Sequence, residues 1–87
     1  MAREIIHSQR FESELAEIEP DKRRADELIL SGPAWVISRK PRAGRKVGAT
    51  DIWCIICLDN PKRRELSVFY RFTDETVELV SVTSAEI

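Results

Sequence analysis

Leu66-Ser67-Val68-Phe69-Tyr70-Arg71-Phe72 and Val77-Glu78-Leu79-Val80-Ser81-Val82, joined by the polar Thr73-Asp74-Glu75-Thr76, decide the fold class of this chain. Each run alternates side chains of high strand preference about a short polar connection, the pattern of a β-hairpin. Both faces of the hairpin carry apolar side chains, and the chain has only 87 residues with which to cover them. That length supports one domain over residues 1–87, with one modest core. A composition of 43% hydrophobic and 33% charged residues is that of a globular protein rather than a disordered one.

Upstream of the hairpin, Arg3-Glu4-Ile5-Ile6-His7 reads as a short strand. Ser8 follows as an N-cap for a helix carrying Phe11, Leu15 and Ile18 at helical spacing. Glu19-Pro20-Asp21 breaks that helix and opens a second one, whose stripe is Ala25, Leu28, Ile29, Gly32 and Val36. Gly32-Pro33 predicts a kink there, or a fresh start with proline in the first turn, because proline lacks an amide donor. Arg39 to Gly48 reads as a flexible loop, Asp51 to Leu58 as a strand, and Asn60-Pro61-Lys62-Arg63-Arg64 as a basic turn.

The order is therefore β-α-α-β-β-β. It predicts an α+β fold in which two N-terminal helices pack on one face of a mainly antiparallel sheet. By alternation, Ile52, Cys54, Ile56 and Leu58 are expected on one face with Leu66, Val68, Tyr70, Phe72, Val77 and Leu79. Trp53, Ile55, Cys57, Phe69, Val80 and Val82 fall on the other face, which the helices would leave open. Trp53, Ile55, Phe69, Val80 and Val82 are accordingly candidates for contact with a partner protein, or with a second copy in a homodimer. Closure of the basic loop over that face, or a strand set one residue out, would satisfy the same pattern.

The net charge of −1 hides a segregation. Residues 1 to 37 hold eight acids and five bases, residues 38 to 72 three acids and nine bases, and residues 73 to 87 four acids. The basic block centres on Arg39, Lys40, Arg42, Arg45, Lys46, Lys62, Arg63 and Arg64, a surface for acidic protein or phosphate, or a solvated loop. Neither basic segment contains an aromatic residue for stacking on bases. No apolar run approaches a membrane span and no secretory leader is evident, so a cytoplasmic location is expected. Cys54 and Cys57 form a single CxxC, but residues three apart on a strand diverge to opposite faces, and two reduced, packed thiols are expected. His7 stands alone, and neither a metal site nor a nucleotide loop is indicated.

The order of elements, Phe11-Glu12-x-Glu14-Leu15 at the start of the helical pair, and the segment from Val68-Phe69-Tyr70-Arg71-Phe72 through Asp74-Glu75 to Val77, Leu79, Val80 and Val82 together resemble the RelE/ParE superfamily of bacterial toxins. The resemblance spans most of the chain and is most specific over residues 68 to 82. It implies the toxin of a type II toxin-antitoxin (plasmid stabilization) module, neutralised by a cognate antitoxin. RelE-like members cleave messenger RNA on the ribosome, whereas ParE-like members inhibit gyrase. RelE-like nucleases have an arginine three residues before the hairpin tyrosine, where this chain has Ser67. They have lysines in the preceding strand, where it has Cys54-Ile55-Ile56-Cys57, and a basic or aromatic tail, where it has Ser84-Ala85-Glu86-Ile87. Metal-free RNA cleavage needs cations at the phosphate and a proton-transfer group, which leaves Arg71, Tyr70 and Arg64, with Lys62 and Arg63 nearby, as candidates. The alternative for Arg71 is a surface pair with Glu78. The function expected is a toxin-like protein acting through protein contact. A ribosome-dependent endoribonuclease and a degenerate, non-toxic binding or dimer module are the alternatives.

Overall fold

A computed structural model describes residues 2–87. Its elements are β1 (Glu4–His7), α1 (Gln9–Ile18), α2 (Lys22–Leu30), α3 (Pro33–Arg39), β2 (Arg45–Lys46), β3 (Trp53–Asp59), β4 (Arg64–Phe72) and β5 (Thr76–Glu86). The strands form one sheet in the order β1-β5-β4-β3-β2. Only β1 and β5 run parallel, Glu4 lying opposite Thr76 and His7 opposite Leu79, so the sheet is mixed and mainly antiparallel.

Local chemistry sets the helix ends. The Ser8 hydroxyl accepts from the Phe11 amide, and the Asp21 carboxylate accepts from the Arg24 amide; each satisfies a first-turn donor that no carbonyl can reach. Gly32-Pro33 does more than kink the second helix. Pro33 occupies the first turn of a third helix, α3, so the helical layer has three members rather than the two expected. The predicted loop also gains structure, a single 3₁₀ turn at Pro41–Ala43 followed by the two-residue β2. The last strand runs to Glu86, so Ser84 and Ala85 lie inside it rather than in a tail.

One buried cluster joins Phe11, Leu15, Ala25, Ile29, Ala34 and Ile37 of the helices to Leu66, Val68, Tyr70, Val77, Leu79 and Val82 of the sheet. Burying a side chain of this kind stabilises by about 1.5–3 kcal/mol, so this cluster is the main support of the fold. The register corrects the expected faces in two places. Trp53 pairs with Tyr70, Ile55 with Val68 and Cys57 with Leu66, which places Trp53, Ile55 and Cys57 on the core face and Cys54, Ile56 and Leu58 on the outer one. Val82 also lies in the core, at 2% exposure. The reason is a bulge. Phe69 pairs with Ser81 but Tyr70 with Leu79, so Val80 is the extra residue and the alternation of β5 shifts by one beyond it. Phe69 and Val80 remain on the outer side, half-buried.

Candidate functional site

Four outer-face side chains give the sheet its exposed apolar character. Ile56 and Leu58 of β3 are 57% and 58% exposed, and Ile6 of β1 is 41% exposed. Phe69 lies between them on β4, opposite Cys54. Arg45 of β2 is also paired with Cys54, so the row Arg45, Cys54, Phe69 crosses three strands of this face. Arg45 is exposed and takes part in no ion pair among the described residues. At the other end of β3, Glu65 is the cross-strand partner of Leu58. An apolar strip with a cation at one end and a carboxylate at the other is suited to another polypeptide.

The three residues considered for RNA chemistry do not converge. Tyr70 is fully buried; its hydroxyl donates to the Pro41 carbonyl at 2.5 Å and accepts from the Gly44 amide at 3.2 Å. Burial pushes its phenol upward from the ordinary value, away from service as a base at neutral pH. A Cβ on Gly44 would stand 2.6 Å from the Tyr70 oxygen and 2.5 Å from the Cys54 carbonyl, so glycine is the residue that lets the loop lie this close to β3. Tyr70 thus fastens the root of the basic loop. Arg71 donates to Glu78 at 2.7 Å across β4 and β5, the surface pair set against its catalytic role in the sequence reading.

Arg64 belongs to a buried ion cluster that links the α1–α2 turn to the β3–β4 turn. It donates to Asp59 at 2.8 Å, to Glu19 at 3.0 Å and to the Ile18 carbonyl at 2.7 Å. Arg24 holds the same two carboxylates, with contacts to Asp59 at 2.6 and 3.1 Å and to Glu19 at 2.7 Å, and Lys62 closes on Glu19 at 2.8 Å. Glu19 and Asp59 are almost wholly enclosed, at 3% and 2% exposure. The lysine beside Glu19, the Asp21 amide and Arg24 hold its carboxyl down at about 2. The Arg24 and Arg64 guanidinia hold Asp59 below its ordinary value. A tandem of cations neutralised in this way serves the fold first.

The predicted basic block therefore divides. Lys62 and Arg64 are committed to the ion cluster, and Arg63 occupies the left-handed turn position, with φ of 51°. Arg39, Lys40, Arg42, Arg45 and Lys46 remain exposed around the α3–β2 connection. The fold brings them aromatic neighbours that the sequence around them lacks. Arg39 stacks over Trp35 at 4.3 Å, and Arg3 and Arg42 stand 5.8 and 5.7 Å from the Phe72 ring, which in turn lies 5.6 Å from Trp53. Periodicity could have placed Trp35 beside Arg39, four residues on along a helix; the convergence of residues 3, 42 and 72 has no local signal.

Compared with known proteins, the chain matches no protein-family model and no curated protein sequence. Among the described residues, no group of three or more His, Cys, Asp or Glu side chains is placed to hold a metal ion, and no helix is long and apolar enough to cross a membrane. Cys54 and Cys57 are both free thiols and lie on opposite faces of β3. Burial pushes both upward from the ordinary thiol value, which makes them poor nucleophiles at neutral pH.

Proposed function

We propose that this protein is the toxin-like component of a bacterial type II toxin-antitoxin module, acting in the cytoplasm through protein contact and neutralised by a cognate antitoxin. The observation that carries the reading is the outer face of the sheet, where Ile56 and Leu58 stand more than half exposed on a strand otherwise built for burial. Scattered exposed apolar residues are ordinary, but here Ile6, Cys54, Ile56, Leu58, Phe69 and Val80 share one face. The RelE/ParE-like arrangement belongs to the same proposal. Consecutive helices and a closing hairpin agree with the order that carries the resemblance, and β1 lies beside the closing strand.

A nuclease is the weaker reading. Tyr70 has no exposed surface, Arg64 is spent on Asp59 and Glu19, and Arg71 is spent on Glu78. These positions offer no free cation beside a proton-transfer group, the pairing such chemistry requires. Contact with a target such as gyrase or the ribosome fits the surface better.

The test is growth after tightly induced expression in a bacterium, with and without the protein encoded by the adjacent reading frame. Arrest relieved by the neighbour, with a complex recovered on co-purification, supports the proposal. Unaffected growth with abundant folded protein, and no complex, overturns it in favour of a non-toxic binding module.

A further inference from the structure

We propose that a second surface, built by α3, the 3₁₀ turn after it and the end of β4, docks on an anionic lipid bilayer. The Trp35 indole sits at headgroup level and Arg3, Arg39 and Arg42 meet the lipid phosphates. This goes beyond the toxin-antitoxin reading and uses different residues, since Trp53 and Phe72 lie on the helix side of the sheet, away from Ile56 and Leu58.

Residues 28–50 hold five bases, Arg39, Lys40, Arg42, Arg45 and Lys46, and no acid. Trp35 lies in the same stretch. Pro33, Ala34, Ile37 and Ser38 form the buried side of α3, which leaves Trp35 and Arg39, four residues apart, on the exposed side. Trp35 is 56% exposed, with the Arg39 guanidinium laid over its ring at 4.3 Å. Contacts carry the patch onward from there. Arg39 also donates to the Ser38 hydroxyl at 3.1 Å, and the Ser38 carbonyl accepts from the Arg3 amide at 2.8 Å. The Arg3 side chain donates to the Thr73 carbonyl at 2.7 Å, beside Phe72, whose ring Arg42 approaches from the 3₁₀ turn. Glu4, Asp74 and Glu75 are close along the chain, yet among the described residues Arg3, Arg39 and Arg42 form no ion pair. Cations gathered without a neutralising carboxylate make a local positive field that attracts an anionic surface.

The aromatic groups decide which surface. Binding a single nucleic-acid strand uses successive aromatic faces on which bases stack. Here Arg39 fills one face of Trp35, while Arg3, Arg42 and Trp53 crowd the half-buried Phe72, so successive open platforms are lacking. Leu30 and Val47, also exposed in the acid-free stretch, have no use on a phosphate backbone. A bilayer interface takes all of these: tryptophan rests at the headgroups, aliphatic tips enter the acyl boundary, and neighbouring bases gain from anionic lipid. The apolar stem of Arg39 spans the distance from ring to phosphate.

The test uses the full chain and sedimented vesicles of phosphatidylcholine, alone or with about 30% phosphatidylglycerol. Binding is expected to the anionic vesicles only, about tenfold weaker on raising salt from about 50 to about 500 mM. Arg39→Ala with Arg42→Ala should weaken it about fivefold or more. Lys22→Ala with Arg23→Ala removes the same charge from exposed α2 positions paired with Asp26 and Glu27, and should change it less than about twofold. Tryptophan emission should shift to shorter wavelength on binding, and Trp35→Phe should bind without that shift. Circular dichroism confirms that each variant is folded. No binding to anionic vesicles at low salt, or equal weakening by the two double substitutions, overturns the proposal; a shift that survives Trp35→Phe overturns the placement of the indole. Tighter binding of a single-stranded oligonucleotide than of the vesicles at the same salt, lost with Arg39 and Arg42, overturns it in favour of nucleic acid.

Discussion

Replacing Arg64 by alanine removes three hydrogen bonds at once, to Asp59, Glu19 and the Ile18 carbonyl, from a side chain only 13% exposed. Hydrogen bonds to charged groups contribute about 1.5–3 kcal/mol each, and breaking a buried ion pair costs about 3–5 kcal/mol when the partner is stranded. Neither carboxylate is stranded here. Asp59 keeps both contacts from Arg24, and Glu19 keeps Arg24, Lys62 and the Asp21 amide. The expected loss is therefore below the simple sum, about 2–4 kcal/mol, or about 10–30 °C in melting temperature for a domain of this size. Urea unfolding followed by circular dichroism measures it directly. Arg71→Ala, which breaks an exposed pair, is the control and should cost less than about 1 kcal/mol. An Arg64→Ala protein within about 0.5 kcal/mol of the parent would refute the structural role assigned to the cluster. The comparison matters for function because a loss of activity on mutating Arg64 would otherwise be read as loss of a catalytic cation.

Acid should weaken the fold through the same cluster. Glu19 is held at about 2 against an ordinary 4.5 and Asp59 is also lowered, so their stabilisation is fully present above the ordinary carboxylate range. It drains away as pH falls from about 4.5 toward about 2. Urea midpoints that stay constant from pH 5 to pH 2.5 would contradict this. Tyr70→Phe leaves the Pro41 carbonyl and Gly44 amide without the phenol and should cost about 1–3 kcal/mol, with faster exchange of the Gly44 amide. Val82→Asp buries a charge and should leave the chain unfolded at room temperature, whereas Ile56→Asp should shift the melting temperature by no more than a few degrees. A reversed order of severity would show that the bulge at Val80 is misplaced.

The elements legible in the sequence are those whose two faces differ. Phe11, Leu15 and Ile18 mark one side of α1, and Leu66, Val68 and Tyr70 one side of β4, so their periods are clear. β3 is apolar at every position from Trp53 to Leu58, which erases the period-two signal and leaves its register open by one residue. Beyond the bulge, Val80-Ser81-Val82 looks like simple alternation. Only the three-dimensional pairing shows Glu14 reaching the Ser81 hydroxyl at 2.7 Å and the Val82 amide at 3.1 Å, on the stretch of β5 that β1 does not cover. The ion cluster was equally hidden. Its charges come from two separate stretches of chain, residues 19–24 and 59–64, and each stretch alone reads as solvated surface. The cluster removes Arg64, and the separate surface pair with Glu78 removes Arg71, from consideration as free cations.

The parallel pairing of β1 with β5 also bears on the timing of synthesis. Glu4 emerges early from a ribosome, but its neighbour in the sheet is Thr76. At about 5–20 residues per second, roughly 4 to 14 seconds separate the translation of the two. Until then β1 has no strand to join and α1 no β5 to cover, so the sheet closes only once β5 follows Thr76. A chain built in this order leaves β1 unpaired throughout the translation of the residues between Glu4 and Thr76, and the five-stranded sheet is first met whole only once β5 has been made.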